Sequence, residues 1–207
     1  MNAGSTMERV YLDLKERIVG GAYPPGTRLD PFHLAKRLAA SPTPVREALH
    51  RLSGERIVDS WHQEGFRQPM FAEADLGDLY QWAGALVGLA LRSRTVPSEK
   101  PTVLLAAMVV EDYPARVARL LRAIALLSDN REIRYAIVNV VERSEFFRAA
   151  EVRTDPAADE QLASMEADFR SERWTELRSK SAGFHRRRIA RAGRVVAALR
   201  PRSQTIE

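Results

Sequence analysis

The chain has 207 residues, enough for one or two domains with a buried core. Hydrophobic residues make up 45% and charged residues 29%, the balance of a soluble globular protein, and the net charge of +5 permits nucleic acid as a partner without demanding it. The absence of cysteine excludes disulfide scaffolds, thiol catalysis and thiolate metal sites. The four histidines, His33, His50, His62 and His185, show no metal-ligand spacing, so neither a metal nor another cofactor is expected. The densest apolar stretch, Val103 to Val110, is far below the ~18–20 residues of a spanning helix. No secretion-signal layout is seen at the N-terminus, and a cytoplasmic protein with no membrane partner is the default expectation.

Residues 1–6 read as a flexible lead. A helix is predicted from near Met7, with Val10, Leu14 and Ile18 on one face, and it ends at Gly20-Gly21. Tyr23-Pro24-Pro25-Gly26 is a turn. Asp30-Pro31 then supplies an N-cap and a first-turn proline for a short helix with Leu34, Ala35 and Leu38 inward. Ser41-Pro42 repeats that signal, and Pro44 is tolerated in a first turn whose amides have no intrahelical partner. The third helix carries Val45, Ala48, Leu49 and Leu52 on one side and Thr43, Arg46, Glu47 and His50 on the other. Beyond Gly54, Ile57 to Trp61 predicts a strand, His62 to Gly65 a hairpin tip, and Phe66 to Met70 the returning strand.

From residue 71 the pattern is helical only. Leu76, Leu79, Tyr80, Ala83, Leu86, Val87, Ala90 and Leu91 keep one helical period. Pro97 and Pro101 mark a connection. Further stripes are Val117 to Leu127, Ile133 to Phe147, and Leu162, Met165 and Phe169 in a helix starting at Asp155-Pro156. The last helix bears Trp174, Leu177, His185, Ile189, Ala192, Val196 and Leu199. The expected class is therefore mainly α: residues 1–70 as a winged helix-turn-helix and residues 71–207 as an all-α helical bundle.

A helix-turn-helix with a hairpin wing suits DNA. A helix fits the major groove, and its N-terminal end offers free amides and a positive dipole to phosphate. The outward face carries Thr43, Arg46, Glu47 and His50, flanked by Lys36, Arg37 and Arg51. The run Leu14-Lys15-x-x-Ile18-x-x-Gly21-x-Tyr23-x-Pro25-Gly26-x-x-Leu29, then Leu34-Ala35-x-x-Leu38, then Ser41-x-Thr43-Pro44-Val45-Arg46-Glu47-Ala48-Leu49-x-Arg51-Leu52, resembles the DNA-binding domain of GntR-family bacterial transcription regulators. The resemblance spans residues 9–70. It implies DNA contacts from Ser41, Thr43 and Arg46 and from a wing between His62 and Gly65; Lys36, Pro44, His50 and Arg51 complete the candidate set. Pro42 stands where the family usually has arginine, which removes a bidentate guanine contact worth about 1–3 kcal/mol of base discrimination. Arg56 stands where the family often has glycine.

The helical remainder resembles the FCD domain of the FadR-type branch, on helix pattern and short matches such as Asp78-Leu79-Tyr80. Many such domains hold a divalent metal through one aspartate and three histidines, and that metal helps bind a carboxylate effector. Here the corresponding positions read Val117, Leu121, Leu162 and His185, and two further pocket positions read Ala83 and Val87. One histidine does not make a transition-metal site. Two readings stand: a cavity filled as core, or a cavity kept for a small apolar or acyl-type ligand lined by Ala83, Val87, Val117, Leu121, Leu162 and His185. His185 is then either an anchor or a core histidine bonded to a neighbour. Gly84 and Gly88 allow close helix approach, within the bundle or across a dimer. Arg186, Arg187, Arg188, Arg191 and Arg194 read as a solvated basic face paired with acids such as Glu166 or Asp168. No catalytic motif is present, so an enzyme is not expected. The leading expectation is a homodimeric regulator, acting as a repressor, on a short inverted repeat of double-stranded DNA, with a small-molecule effector. The alternative is a ligand-independent architectural or partner-controlled DNA binder.

Overall fold

The structure, a computed structural model, describes residues 3–61, 64–95 and 112–199. Its elements are α1 (Ala3–Val19), α2 (Pro31–Arg37), α3 (Pro42–Gly54), β1 (Asp59–Trp61), β2 (Gly65–Arg67), α4 (Glu73–Arg92), α5 (Tyr113–Leu126), α6 (Arg131–Thr154), α7 (Ala158–Arg170) and α8 (Trp174–Leu199). They form two compact units, Met1–Phe71 and Ala72–Glu207. The Pro97–Pro101 connection and the Val103 to Val110 stretch lie outside the described residues.

The N-terminal unit closes on one apolar cluster. Val10, Leu14 and Ile18 of α1, Leu34 and Ala35 of α2, Val45, Ala48, Leu49 and Leu52 of α3, and Phe66 of β2 are all buried in it. Helix α1 starts at Ala3 rather than near Met7, so residues 3–6 are helical and not a flexible lead. Once the Val10–Ile18 face is anchored, each residue added backward gains a hydrogen bond without a new nucleation cost. Asp30 caps α2 as expected, its carboxylate accepting from the amides of Phe32 (2.9 Å) and His33 (3.0 Å).

The wing is shorter than the sequence suggests. Ile57 and Val58 are buried but lie before the strand, because both amides turn back onto the Leu52 carbonyl. The hairpin register pairs Asp59 with Arg67, Ser60 with Phe66 and Trp61 with Gly65. Gly65 therefore belongs to the returning strand, which ends at Arg67 instead of reaching Met70. Pro69 has no amide to continue a ladder. The Gly26–Leu29 segment lies along the other edge of β2: Leu29 N donates to Phe66 O (2.8 Å), and Gln68 N to Thr27 O (2.9 Å). Gly26 is required there twice over, by its φ of +79° and by Met70 Sδ, which stands 3.0 Å from where a Cβ would sit.

In the C-terminal unit α4 packs against α8, α6 and α5, while α7 lies on α8 and α5. Every residue of the Leu76–Leu91 stripe is buried, as are Val117, Leu120, Leu121, Ile124, Ile133, Ile137, Val140, Val141, Phe147, Leu162, Met165 and Phe169. Helix α7 starts at Ala158, not at Asp155-Pro156. Asp155 instead closes α6, its amide donating to Glu151 O (2.9 Å), and its carboxylate accepts from Ala157 N (3.2 Å) across the turn. Ile189 is 36% exposed, so the inward stripe of α8 runs through Leu177, Ser181, Phe184, His185, Arg188, Ala192, Val195 and Val196.

Four helices end in the same way. After α1, α2, α3 and α7 an amide donates to the carbonyl five residues back: Ala22 to Arg17 (2.9 Å), Ala40 to Ala35 (3.0 Å), Ile57 to Leu52 (3.0 Å) and Arg173 to Asp168 (2.9 Å). This is the Schellman closure, which needs a left-handed residue just past the cap. Gly21 supplies it after α1, at φ +80°. The other three positions are Ala39 (φ 46°), Arg56 (φ 58°) and Glu172 (φ 55°), each with a side chain in a region that favours glycine.

Candidate functional site

The outward face of α3 is built by the burial of its inward one. Val45, Ala48, Leu49 and Leu52 are fully buried, which turns Thr43, Arg46, Glu47 and His50 to solvent. Lys36 and Arg37 are exposed on α2 beside it. Ser41 is the N-cap of α3 by backbone geometry, yet its side chain makes no capping bond and stands exposed. Pro42 and Pro44 remove two of the first-turn donors, so the amides of Ser41 and Thr43 are what this helix end offers a phosphate.

Several nominated residues have structural partners. The Arg51 guanidinium lies 3.6 Å over the Tyr11 ring and donates to Glu8 Oε2 at 2.9 Å, with Glu55 3.5 Å from its Nε. Tyr11 in turn donates to Glu55 Oε1 (2.7 Å) and accepts from Lys15 Nζ (3.0 Å). Burial, countered in part by Lys15, raises the Tyr11 hydroxyl above its usual range. This cluster ties α3 to α1 through Arg51, whose side chain remains 42% exposed. His50 meets Phe66 of the wing edge-on, with ring centroids 4.9 Å apart. Pro44 is half-buried, Gly65 holds a left-handed φ of +79°, and His62 lies outside the described residues.

Sequence reasoning passed over three wing residues. Trp61, 60% exposed, stands at the described end of β1. Arg28 is exposed and pairs with Arg67 on the edge of β2 opposite β1. An exposed tryptophan in a hairpin was a legible signal; the placement of Arg28 depends on a pairing between segments far apart in sequence.

The C-terminal candidates Ala83, Val87, Val117, Leu121, Leu162 and His185 are all buried. His185 donates through Nδ1 to Ser181 O (2.9 Å), which leaves Nε2 as a buried acceptor without a partner among the described residues. Burial, with Arg188 nearby, lowers its pKa to about 4, so the ring is neutral at pH 7. Gly84 faces it so closely that a Cβ there would lie 3.0 Å from His185 Cβ. Gly84 thus serves a contact inside the bundle, while a Cβ at Gly88 would meet Arg92 Nη1 only at an ordinary contact distance of 3.5 Å. Among the described residues no group of three His, Asp or Glu side chains could hold a metal.

The polar chemistry lies one helical turn away. Tyr113, Glu151, Asp155, Phe184, Arg188 and Arg191 help line a cleft with about 280 Å³ of empty space, part of it open to solvent. Tyr113 is one turn from Val117, and Arg188 one turn from His185. Glu151 accepts from Tyr80 (2.5 Å), from Tyr113 (3.1 Å) and from Arg188, whose guanidinium also lies 4.2 Å over the Tyr80 ring. Burial pulls the Arg188 pKa down, but Glu151, Tyr80 and Tyr113 outweigh it and hold it above the usual arginine value. Burial and Glu151 push both tyrosines up. The basic run of α8 is therefore not simply a solvated face. Arg188 is buried on Glu151, Arg191 reaches Asp155 (3.3 Å), and Arg187 donates to Gln161 (2.6 Å). Glu166 and Asp168, the acids expected to pair with it, are taken by Arg116 and Arg119 and by Arg173 and Lys180.

A three-helix head with a short β-hairpin, its third helix baring a polar face between basic flanks, defines a winged helix-turn-helix DNA-binding unit. Residues 6–67 match the model of the bacterial regulatory proteins of the gntR family, which makes this N-terminal segment a GntR-type unit. The HTH-type transcriptional repressor GlaR of Escherichia coli (strain K12) is 36% identical over 70 residues, 34% of this chain and 32% of GlaR. The Nta operon transcriptional regulator of Aminobacter aminovorans is 26% identical over 158 residues, 75% of this chain and 68% of that protein. Across three of the curated relatives it matches, the chain spans only 32% to 54% of their length. A crystal structure of a GntR protein from Rhodococcus sp. RHA1 has the same fold, with a TM-score of 0.74 at 16% identity, over 95% of this chain and 100% of that one. These relatives are regulators, not enzymes.

Proposed function

We propose that this chain is a sequence-specific DNA-binding transcriptional regulator, a homodimeric repressor acting on a short inverted repeat in the cytoplasm. The observation that carries the reading is the α3 face. Arg46 stands exposed among Thr43, Glu47 and His50, on a helix whose opposite side is locked into the core. A guanidinium placed this way can read a guanine edge, while Lys36 and Arg37 serve phosphates. The contact set is Lys36, Ser41, Thr43, Pro44, Arg46, His50 and the wing around His62 and Gly65. Arg51 acts indirectly, by holding α3 on α1. The test is fluorescence anisotropy on DNA from upstream of the chain's own gene. Arg46→Ala should weaken specific binding by roughly 5- to 150-fold, the equivalent of about 1–3 kcal/mol, while affinity for scrambled DNA changes little. Unchanged specific affinity would move the reading helix elsewhere.

The C-terminal bundle we read as an FCD-like sensing and pairing unit without metal. Its candidate ligand positions Ala83, Val87, Val117, Leu121 and Leu162 suit an apolar or acyl-type effector over a carboxylate, with His185 as the polar anchor. An effector acts only if it favours one state of the protein over another. A second reading, in which the bundle only pairs copies or binds a protein, is favoured by the close His185–Gly84 contact, where an added Cβ would stand 3.0 Å from His185 Cβ. Thermal-shift screening separates them. Medium-chain acyl compounds should raise the melting temperature under the first reading, and no apolar compound should do so under the second.

A further inference from the structure

Helix α4 turns its inward face to α8, α6 and α5, and its outward face carries an unused seam. Asp78, Trp82, Ala85, Leu89 and Arg92 are all exposed and follow one another at intervals of four, three, four and three residues. That is the spacing of a heptad seam, which needs a second helix to cover it. Trp82 is 52% and Leu89 40% exposed at its centre. No ion pair links Asp78 or Arg92 to another side chain among the described residues. They stand about 21 Å apart along the helix, too far to meet each other.

We propose that this seam pairs with its own copy in a second chain, antiparallel, about a two-fold axis passing beside Ala85. The inference rests on the homodimer reading above and names its interface. Three features of the seam select this occupant. First, it is self-complementary in charge only when antiparallel: Asp78 then meets Arg92 of the other copy, twice, whereas a parallel pairing would set Asp78 against Asp78 and Arg92 against Arg92. Second, the small side chain of Ala85 falls on the axis, where the two backbones approach most closely. Third, Trp82 then falls opposite Leu89 of the second copy, covering both exposed apolar groups at once.

The chain has no cysteine, which makes the geometry directly testable. Ala85→Cys should form an interchain disulfide under mild oxidation, since only a residue beside the axis brings its two copies within about 7 Å. Ala74→Cys, exposed on the same helix, should not. In analytical ultracentrifugation, Leu89→Glu and Asp78→Arg should each weaken the dimer by at least about tenfold, because every substitution enters a two-fold interface twice. The double variant Asp78→Arg/Arg92→Asp should restore it. Such rescue cannot arise within one chain. Far-UV circular dichroism confirms that each variant stays folded. A wild-type dimer that resists Leu89→Glu, with no Ala85→Cys crosslink, would overturn the seam and leave the homodimer standing. A monomeric wild type would overturn both, and the Arg46→Ala comparison on a single half-site would still test DNA reading independently.

Discussion

His185 illustrates how burial sets the chemistry of a single side chain. The lone match to a metal-ligand position, it is neutral and buried, tied to Ser181 and pressed against Gly84. Its folded-state pKa of about 4 lies below its ordinary value of 6.5. Below the ordinary value the unfolded chain takes up a proton that the native chain refuses. The stabilisation is therefore complete above about pH 6.5 and is lost as the pH falls toward 4. Unfolding free energy should fall by up to about 1.4 kcal/mol per pH unit in that window. Urea titrations at stepped pH should show this slope, and His185→Gln should flatten it. Glu166 and Asp168 act lower: burial pushes their pKa values up, but their arginine and lysine partners win and hold them below the usual carboxylate range. Their contribution is lost only under more acidic conditions. Arg188 is the converse case. Read as part of a basic surface run, it is buried because Glu151, Tyr80 and Tyr113 supply the charge and hydrogen bonds that make its burial tolerable.

At the scale of elements, the helix ends carry the most information. The repeated Schellman closure stops α2 and α3 within a residue or two, and so sets the turn between them and the start of the wing. Arg56 occupies the left-handed position after α3, where the resembled family often has glycine. Arg56→Gly should raise stability by about 1 kcal/mol, since the strain of a side chain at this φ is removed without touching the closing hydrogen bond. Gly21→Ala should cost a similar amount. Chemical denaturation measures both. Should Arg56→Gly also weaken DNA binding at low salt, the arginine serves a phosphate as well as tolerating the turn. The strained residue then has a functional reason to be there.

For the whole molecule, the proposed homodimer would couple DNA affinity to pairing. A dimer presents two α3 faces to two half-sites, and the second contact forms at high effective concentration. Leu89→Glu, which leaves the α3 face untouched, should therefore bind an inverted repeat more weakly by a factor of ten or more, about what the lost second contact supplies, while a single half-site is bound as before. Anisotropy on the two duplexes makes the comparison. Equal loss on both would mean the substitution had damaged the reading unit itself.

How much of this was legible beforehand follows from what each feature depends on. The buried stripes of α1, α3, α4, α5 and α6 could be read directly, because helical burial imposes its own period on the residues. The Asp30 cap and the Gly21 closure were legible for the same local reason, as was the outward face of α3 around Arg46. The tertiary structure decided what depends on neighbours distant in sequence. It tied Arg51 to Tyr11 and Glu8, paired Glu151 with Arg188, and shifted the polar cleft one turn from the six candidate pocket positions. It also turned Ile189 outward and stopped the wing at Arg67. A charged residue in a helical pattern looks the same whether it faces water or a buried partner. Only the packing of a second helix shows which, because burial of a charge is stable only when the opposite charge arrives from elsewhere in the chain.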